Sequence, residues 1–147
     1  MHNLPILGTK QVSEMFAIPV RRLTAFADLQ IVEHHDQRPG TGNTRRYSIA
    51  NLMMTKLASN LQALGVAPKK LSRKAELLNH GIARFLDEPY PSRYMSLYVT
   101  SDAEIKVSWH TSTNTHTPTA ILIDLKMLHD DVMDALNKQS DILCQMK

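Results

Sequence analysis

Apolar residues recur at helical spacing through the first part of the chain, and their pattern predicts four helices before residue 88. The first is expected at residues 10–16 and the second at residues 19–29, where Pro19 suits the first helical position. Ala17 and Ile18 form the turn between these two helices. Two short helices joined by a tight turn indicate a helix-turn-helix, whose second helix enters the major groove in DNA-binding proteins.

The same spacing predicts which side of each short helix is buried. In the first helix one face carries Val12, Met15 and Phe16. In the second helix the inward positions are Val20, Leu23, Phe26 and Ala27, and the outward positions are Arg21, Arg22, Ala25 and Asp28. The outward face therefore presents two cations in the first helical turn, where they oppose the helix dipole and favour a role outside the fold.

Two longer helices are predicted next, on either side of a glycine. Ser48 is placed to cap the third helix, and Gly65 is a suitable residue to end it. Pro68 then opens the fourth, which is expected to run to about residue 87. The third helix has the stripe Ile49, Leu52, Met53, Leu57, Leu61 and Leu64, and the fourth has Leu71, Ala75, Leu78, Ile82 and Phe85 at near coiled-coil spacing.

The segment Pro89-Tyr90-Pro91 breaks the helical pattern and marks a boundary. Beyond it, alternation of apolar and polar residues predicts strands at residues 94–100 and 104–109, and an apolar run predicts a third at 120–123. An amphipathic helix follows at residues 125–136. The sequence therefore predicts an α+β protein. Its expected units are a DNA-binding domain, residues 1–87, and a small β-β-β-α domain for dimerisation or effector binding, residues 88–147.

A glycine-rich loop lies between the second and third predicted helices. The tip Gly40-Thr41-Gly42 is followed closely by Arg45 and Arg46. Strands at residues 31–33 and 44–47 make this loop the tip of a hairpin, which forms a wing beside the helix-turn-helix. Arginines on such a tip can reach phosphates or the minor groove. A solvated basic hairpin has the same pattern, so the loop alone does not decide between the two.

The charge distribution favours a polyanionic partner for the first part of the chain. The whole chain has a formal net charge of +3, yet residues 1–87 carry 12 Lys and Arg against 6 Asp and Glu, and residues 88–147 carry 5 against 8. A basic segment of this kind suits nucleic acid, whereas the acidic segment suits protein or solvent. The candidate DNA contacts are Arg21, Arg22, Thr24, Arg38, Arg45, Arg46 and Tyr47.

Three short motifs occur in the order and spacing of a known family. Arg45-Arg46-Tyr47-Ser48 matches an Arg-x-Tyr-Ser motif that ends a wing, and Leu64-Gly65-Val66 matches a Leu-Gly-hydrophobic turn between two helices. Leu23-Thr24-Ala25-Phe26, ending in Gln30-Ile31, stands where the family has a Leu-Arg-aromatic-aromatic stretch ending in Gly-Leu. On these motifs, residues 9 to about 78 resemble the MerR-type winged helix-turn-helix DNA-binding domain.

The resemblance implies a DNA-binding transcription regulator of a bacterium or its phage, located in the cytoplasm with the nucleoid. Two positions depart from the family pattern: Thr24 replaces an arginine and Gln30 replaces a glycine. Arg21 and Arg22, one turn earlier, can supply the missing charge. Metal sensors of the family use cysteines near the dimerisation helix, and this chain has only Cys144. The resemblance therefore argues against metal sensing by that route, and residues 88–147 match no effector domain of the family.

Other chemistry finds little support in the sequence. Adjacent residues on a strand point to opposite sides, so His34 and His35 ligate a metal together poorly. His110 and His116 lack a third ligand for a zinc site. No P-loop or nucleophile elbow occurs, and no apolar run is long enough to span a membrane. We therefore expect no enzyme activity, no cofactor, no metal and no membrane partner, and the sequence does not identify a small-molecule effector.

A homodimer is expected, because one winged helix buries little surface on DNA and two-fold symmetry doubles it. The first candidate interface is the β-rich segment with its final helix, and the second is the late half of the fourth helix. The residues expected in the dimer contact are Ile82, Phe85, Leu97, Val99, Leu125, Leu128 and Val132.

Three functional hypotheses remain open at this point. The first is a sequence-specific regulator that binds double-stranded DNA as a dimer. The second is an excisionase-like architectural factor, which uses a similar domain to bend DNA. The third belongs to another class: a protein-interaction or small-molecule-binding module whose basic helices only support the β-rich part. Salt-dependent retention by duplex DNA separates the third hypothesis from the other two.

Overall fold

The computed structural model describes residues 7–34, 45–88, 93–99, 104–110 and 119–145. Within these ranges it contains five helices and three strands, so the α+β prediction is confirmed. The elements in chain order are α1 (Thr9–Phe16), α2 (Val20–Asp28), α3 (Ile49–Ala63), α4 (Pro68–Asp87), β1 (Tyr94–Val99), β2 (Ile105–His110), β3 (Ala120–Asp124) and α5 (Leu125–Gln145).

Helix α3 lies at the centre of the fold and is buried on most of its sides. The hydroxyl of Ser48 accepts a hydrogen bond from the N–H of Asn51 at 3.1 Å, so the predicted helix cap is confirmed. Helix α3 packs against α2, α4 and α5. Four residues of the predicted stripe are buried, namely Leu52, Met53, Leu57 and Leu61, and so are Met54, Thr55 and Ala58 on other faces. One continuous core therefore includes residues from both predicted units.

The three strands form one antiparallel sheet with β1 in the middle, in the order β2-β1-β3. Met95 on β1 lies opposite Trp109 on β2 and opposite Ile123 on β3. These side chains face the helices and join the core. Strands β2 and β3 both run antiparallel to β1, so they are parallel to each other on either side of it.

Helix α4 approaches the sheet closely at Gly81, which is buried. A β-carbon built on Gly81 would lie only 2.4 Å from both the sulfur of Met95 and the indole nitrogen of Trp109. The absence of a side chain at this position is therefore what lets α4 and the sheet pack at their present distance. The spacing of apolar residues does not predict this contact, because in the sequence an isolated glycine within a helix indicates only a lower helix propensity.

Helix α5 continues well beyond the predicted end at residue 136 and reaches Gln145. The prediction ended there because the polar run from Asn137 to Ser140 lacks an apolar stripe. Gln139 is nonetheless buried, and α5 packs on α1 as well as α3. Because a polar residue, Gln139, occupies the buried side, the apolar pattern of the sequence did not predict the second half of the helix.

The junction between β3 and α5 is held by Asp124. Its carboxylate accepts two hydrogen bonds from the guanidinium of Arg93, at 3.0 and 2.8 Å. It also accepts the backbone N–H groups of Lys126 and Met127, and so caps the start of α5. The hydrogen bonds from Arg93 hold the pKa of Asp124 below its ordinary value.

We expect Asp124→Ala to lower the free energy of unfolding by about 1 kcal/mol at neutral pH, chiefly through the lost cap. Because the folded-state pKa lies below the ordinary 3.8, ionised Asp124 stabilises the fold above that pH and loses its effect as the pH falls further. Urea titrations from pH 7 to 2.5 should therefore show the two proteins converging in acid. Asp131→Ala, which removes an exposed carboxylate of α5 that forms no ion pair with a described residue, is the matched control and should leave stability unchanged.

Several positions differ from the sequence predictions. Of the strand predicted at residues 44–47, the described residues 45–47 form only an isolated bridge, between Tyr47 and Leu7. Residues 31–33 do not form a strand, although Ile31 and Val32 are buried as expected of one. Val20 is 47% exposed, because it is the first residue of α2 and precedes the buried stripe. Leu64 is 67% exposed, because it follows the last residue of α3. No helix in the described part of the chain is long and apolar enough to cross a bilayer.

Candidate nucleic-acid interface

The first turn of α2 presents two arginines to solvent. Pro19 precedes the helix, and its carbonyl oxygen accepts the N–H groups of Arg22 and Leu23. Arg21 and Arg22 are both exposed, and no described carboxylate lies within 4 Å of either guanidinium. Their charges are therefore not neutralised within the described structure and remain available to an anionic partner.

The turn before α2 is closed by two hydrogen bonds. Ala17 adopts a left-handed conformation with a φ of 54°, and the N–H of Ile18 donates to the carbonyl oxygen of Ser13. The hydroxyl of Ser13 donates in turn to the carbonyl oxygen of Ile18 at 2.6 Å. Ile18 itself is buried. This closed turn fixes the angle at which α2 leaves α1 and so fixes the direction of the two arginines.

Helix α2 ends in a Schellman motif centred on Gln30. The N–H of Ile31 donates to the carbonyl oxygen of Phe26, and the N–H of Gln30 donates to that of Ala27. Gln30 has a φ of 58°, in the left-handed region that favours glycine. The glycine expected here by resemblance is thus replaced by a residue that holds the same conformation under strain. Helix α3 ends in the same motif with Gly65, whose φ is 95°.

We expect Gln30→Gly to raise the free energy of unfolding by about 0.5–1 kcal/mol. A non-glycine residue in the left-handed region costs about 1–2 kcal/mol, and the added freedom of glycine in the unfolded chain offsets part of the gain. Gly65→Ala is the reciprocal control and should destabilise the protein. Denaturant titration measures both changes. A Gln30→Gly protein less stable than the wild type would contradict this account.

Three polar side chains from α3 and α4 bind the backbone that follows α2. Ser72 donates to the carbonyl oxygen of Leu29 at 2.6 Å, and Asn79 donates to that of Ile31 at 2.9 Å. Asn51 donates to the carbonyl oxygen of Glu33 at 2.6 Å. These bonds connect residues 18 to 48 positions apart in the chain, so sequence periodicity could not reveal them. These bonds explain why residues 31–33 do not form a strand. The carbonyl oxygens of Ile31 and Glu33 accept hydrogen bonds from side chains that are distant in sequence, and not from a neighbouring strand.

The two arginines of the predicted wing point to different places. The guanidinium of Arg45 lies 3.7 Å from the carboxylate of Asp28 on α2, and its side chain is only 13% exposed. Arg46 is exposed, and its carbonyl oxygen accepts a hydrogen bond from Nδ1 of His34 at 3.2 Å. Adjacent residues of an extended segment point to opposite sides, so only one of these two arginines faces solvent. Arg46 is that residue.

Tyr47 anchors this segment in the core. Its N–H donates to the carbonyl oxygen of Leu7, and its ring meets the ring of His34 edge-on with centroids 4.7 Å apart. Burial raises the pKa of the Tyr47 hydroxyl, although the hydrogen bond with Thr9 opposes this effect. The buried tyrosine therefore positions Arg46 and is not itself exposed to a ligand.

A further basic cluster occupies the first two turns of α4. Lys69, Lys70 and Arg73 are exposed and Lys74 is half-buried. Arg73 lines a shallow groove between α4 and the segment that follows α2, together with Leu29, Gln30, Ser72 and Glu76 among others. None of these four residues is among the DNA contacts predicted from the sequence. Their signal was visible as a run of cations after Pro68.

The remaining predicted site residues lie in several environments. Thr24 is half-buried on α2, and Arg38 lies outside the described residues. Val99 is exposed, whereas the other six residues expected in the dimer contact are buried in the core of the chain: Ile82, Phe85, Leu97, Leu125, Leu128 and Val132. These six side chains hold the sheet and α5 against the other helices. An interface between two copies has to use other residues.

The described residues contain no group of three His, Cys, Asp or Glu side chains arranged to hold a metal ion. No model of a known protein family matches the chain, and no curated protein matches it.

Proposed function

We propose that this protein binds double-stranded DNA in a sequence-specific manner and acts as a homodimeric transcription regulator. The observation that supports this proposal most is the pair of exposed arginines in the first turn of α2, neither of which forms an ion pair with a described carboxylate. A bidentate arginine can read a guanine edge in the major groove, and the N-terminal residues of a recognition helix are those that reach base edges. The proposal includes no catalytic step.

The surroundings of α2 support the same function. Arg46 lies on the segment that Tyr47 anchors, and the cations of α4 begin beside the groove at the end of α2. Phosphate contacts of this kind fix the register of a protein on DNA, while base contacts provide the specificity. The closed turn at Ala17 and the Schellman motif at Gln30 hold α2 in one orientation, which sequence reading requires.

Selection of bound duplexes from a random pool tests the proposal directly. We expect an enriched sequence with two-fold symmetric half-sites, bound with an affinity that falls steeply as salt increases. Fluorescence anisotropy on the enriched duplex and on a scrambled duplex gives the specificity ratio. A pool that shows no enrichment, together with an absence of salt-dependent binding, would overturn the proposal. Bending of the bound fragment, without sequence enrichment, would favour the architectural alternative.

We expect Arg46→Ala to weaken binding to all duplexes by a similar factor and to reduce the slope of log K against log salt by about 1, because one phosphate contact is lost. Arg45→Ala is the matched control, since the Arg45 side chain is largely buried and lies beside Asp28. Its slope should equal that of the wild type. Anisotropy titrations between 50 and 200 mM salt measure both slopes. Equal slopes for all three proteins would exclude the Arg46 contact.

A further inference from the structure

Strand β3 forms an edge of the sheet that has no second partner strand among the described residues. It pairs with β1 on one side only. Edge strands that stay unpaired usually carry a lysine, a proline or a bulge. The opposite edge, β2, carries Lys106, whereas β3 has four uncharged apolar residues before Asp124 and pairs with β1 without a bulge. Leu122 in the middle of β3 is 40% exposed.

The backbone groups that face this open edge follow from the hydrogen bonds on the other side. The N–H of Leu125 donates to the carbonyl oxygen of Arg93 at 2.9 Å, in continuation of the β1–β3 register. Hydrogen-bonded pairs alternate along an antiparallel ladder, so Ile123 and Ile121 also bond to β1. The N–H and C=O groups of Leu122 therefore point away from β1 and towards the edge.

The sequence of β3 is nearly symmetric about its central residue. It has the order Ala-Ile-Leu-Ile-Asp, so an antiparallel copy places Leu122 opposite Leu122 and Ile121 opposite Ile123. A two-fold axis requires this kind of self-complementary surface. We propose that the protein dimerises by antiparallel pairing of β3 with β3 of a second copy, centred on Leu122. The pairing makes one continuous six-stranded sheet with about six new backbone hydrogen bonds.

An apolar groove crosses all three strands at the end of the sheet where β1 stops and β3 begins. Its lining includes Val66, Leu97, Val99, Ile105, Ala120 and Ile121. Val99 is 66% exposed there, and the groove reaches β3 at Ala120 and Ile121. A second copy along β3 covers this part of the groove and adds apolar contact to the hydrogen bonds of the strands. A strand pair alone buries less than the roughly 1,200 Å² of a stable interface, so this added area matters.

Because Leu122 meets its own copy at the axis, charge substitutions give a specific test. We expect Leu122→Lys and Leu122→Glu each to be monomeric, since like charges then lie directly opposite each other. An equimolar mixture of the two should form a heterodimer. Leu77→Lys is the matched control, because Leu77 is 42% exposed on α4 and away from the edge. It should remain dimeric, like the wild type.

Sedimentation velocity of the full chain at tens of micromolar, without DNA, measures these states. Leu122→Pro adds a backbone test: it removes an N–H that faces the edge, so the monomer should keep its thermal stability while dimerisation is lost. A monomeric wild type, or a Leu122→Lys protein that stays dimeric, would overturn the proposal. The inference rests on the homodimer of the proposed function but not on DNA binding. A monomeric wild type would contradict that homodimer as well, whereas a Leu122→Lys protein that stays dimeric would contradict only the β3 contact.

Discussion

Gly81→Ala is expected to lower the free energy of unfolding by about 2 kcal/mol, although alanine is the better helix former. The new β-carbon would lie 2.4 Å from the indole nitrogen of Trp109 and from the sulfur of Met95. The methionine can turn aside, but the indole is a rigid ring that packs against the core. Either the ring leaves its rotamer or the sheet moves away from α4, and both changes reduce core packing.

A control and a second-site change make this prediction specific. Ala83→Gly on the exposed side of α4 should cost about 1 kcal/mol and measures helix propensity alone. Trp109→Phe removes the indole nitrogen, so its combination with Gly81→Ala should cost less than the sum of the two single changes. Denaturant titrations of the four proteins complete the cycle. A Gly81→Ala protein more stable than the wild type would show that Met95 and Trp109 make room for the new β-carbon without loss of packing.

Arg21→Ala and Arg22→Ala are each expected to weaken binding to the selected duplex by about 5- to 150-fold, which corresponds to 1–3 kcal/mol per bidentate contact. Binding to scrambled duplexes should weaken much less, so the specificity ratio falls with the affinity. The reason is geometric: both side chains are exposed in the first turn of α2 and form no described ion pair. Anisotropy at fixed salt gives both affinities.

Arg84→Ala separates this effect from a general loss of charge. Arg84 is an exposed arginine in the last turn of α4, so its removal changes the net charge by the same amount. Its specificity ratio should stay at the wild-type value. If Arg21→Ala and Arg22→Ala both kept wild-type affinity and selectivity, α2 would not be a recognition helix. Repeating the selection with each variant should show relaxed preference at the base that the missing arginine reads.

The elements that sequence periodicity predicts well are those whose burial is local. The helices α1 to α4 and all three strands lie close to their predicted positions, because each has one apolar face and a turn or cap residue at its ends. Residues 31–33 show where this reasoning fails. Their apolar side chains are buried, as they would be in a strand. The side chains of Asn51 and Asn79, however, take the place of a partner strand, because they donate hydrogen bonds to the backbone carbonyl groups of this segment.

The sequence predicted which residues belong to the candidate interface, but not the directions in which all of their side chains point. A sequence can place two arginines in the first turn of α2, because helical spacing fixes which positions are exposed. It cannot tell which of Arg45 and Arg46 faces solvent, since that depends on the position of Asp28 in the folded chain. The dimer contact illustrates the same difficulty. Leu125 and Val132 are apolar enough for an interface, yet the chain uses them in its own core.

The position of α5 has a consequence for how the chain is made on the ribosome. Helix α5 contains the last described residues, and it packs on α1 and on the central helix α3. During synthesis α1 to α4 emerge first, but the apolar side that α3 turns towards α5 stays uncovered until α5 has also emerged. At about 5–20 residues per second, the interval after α4 emerges lasts several seconds. A chain that terminates before α5 therefore leaves this apolar surface of α3 exposed to water.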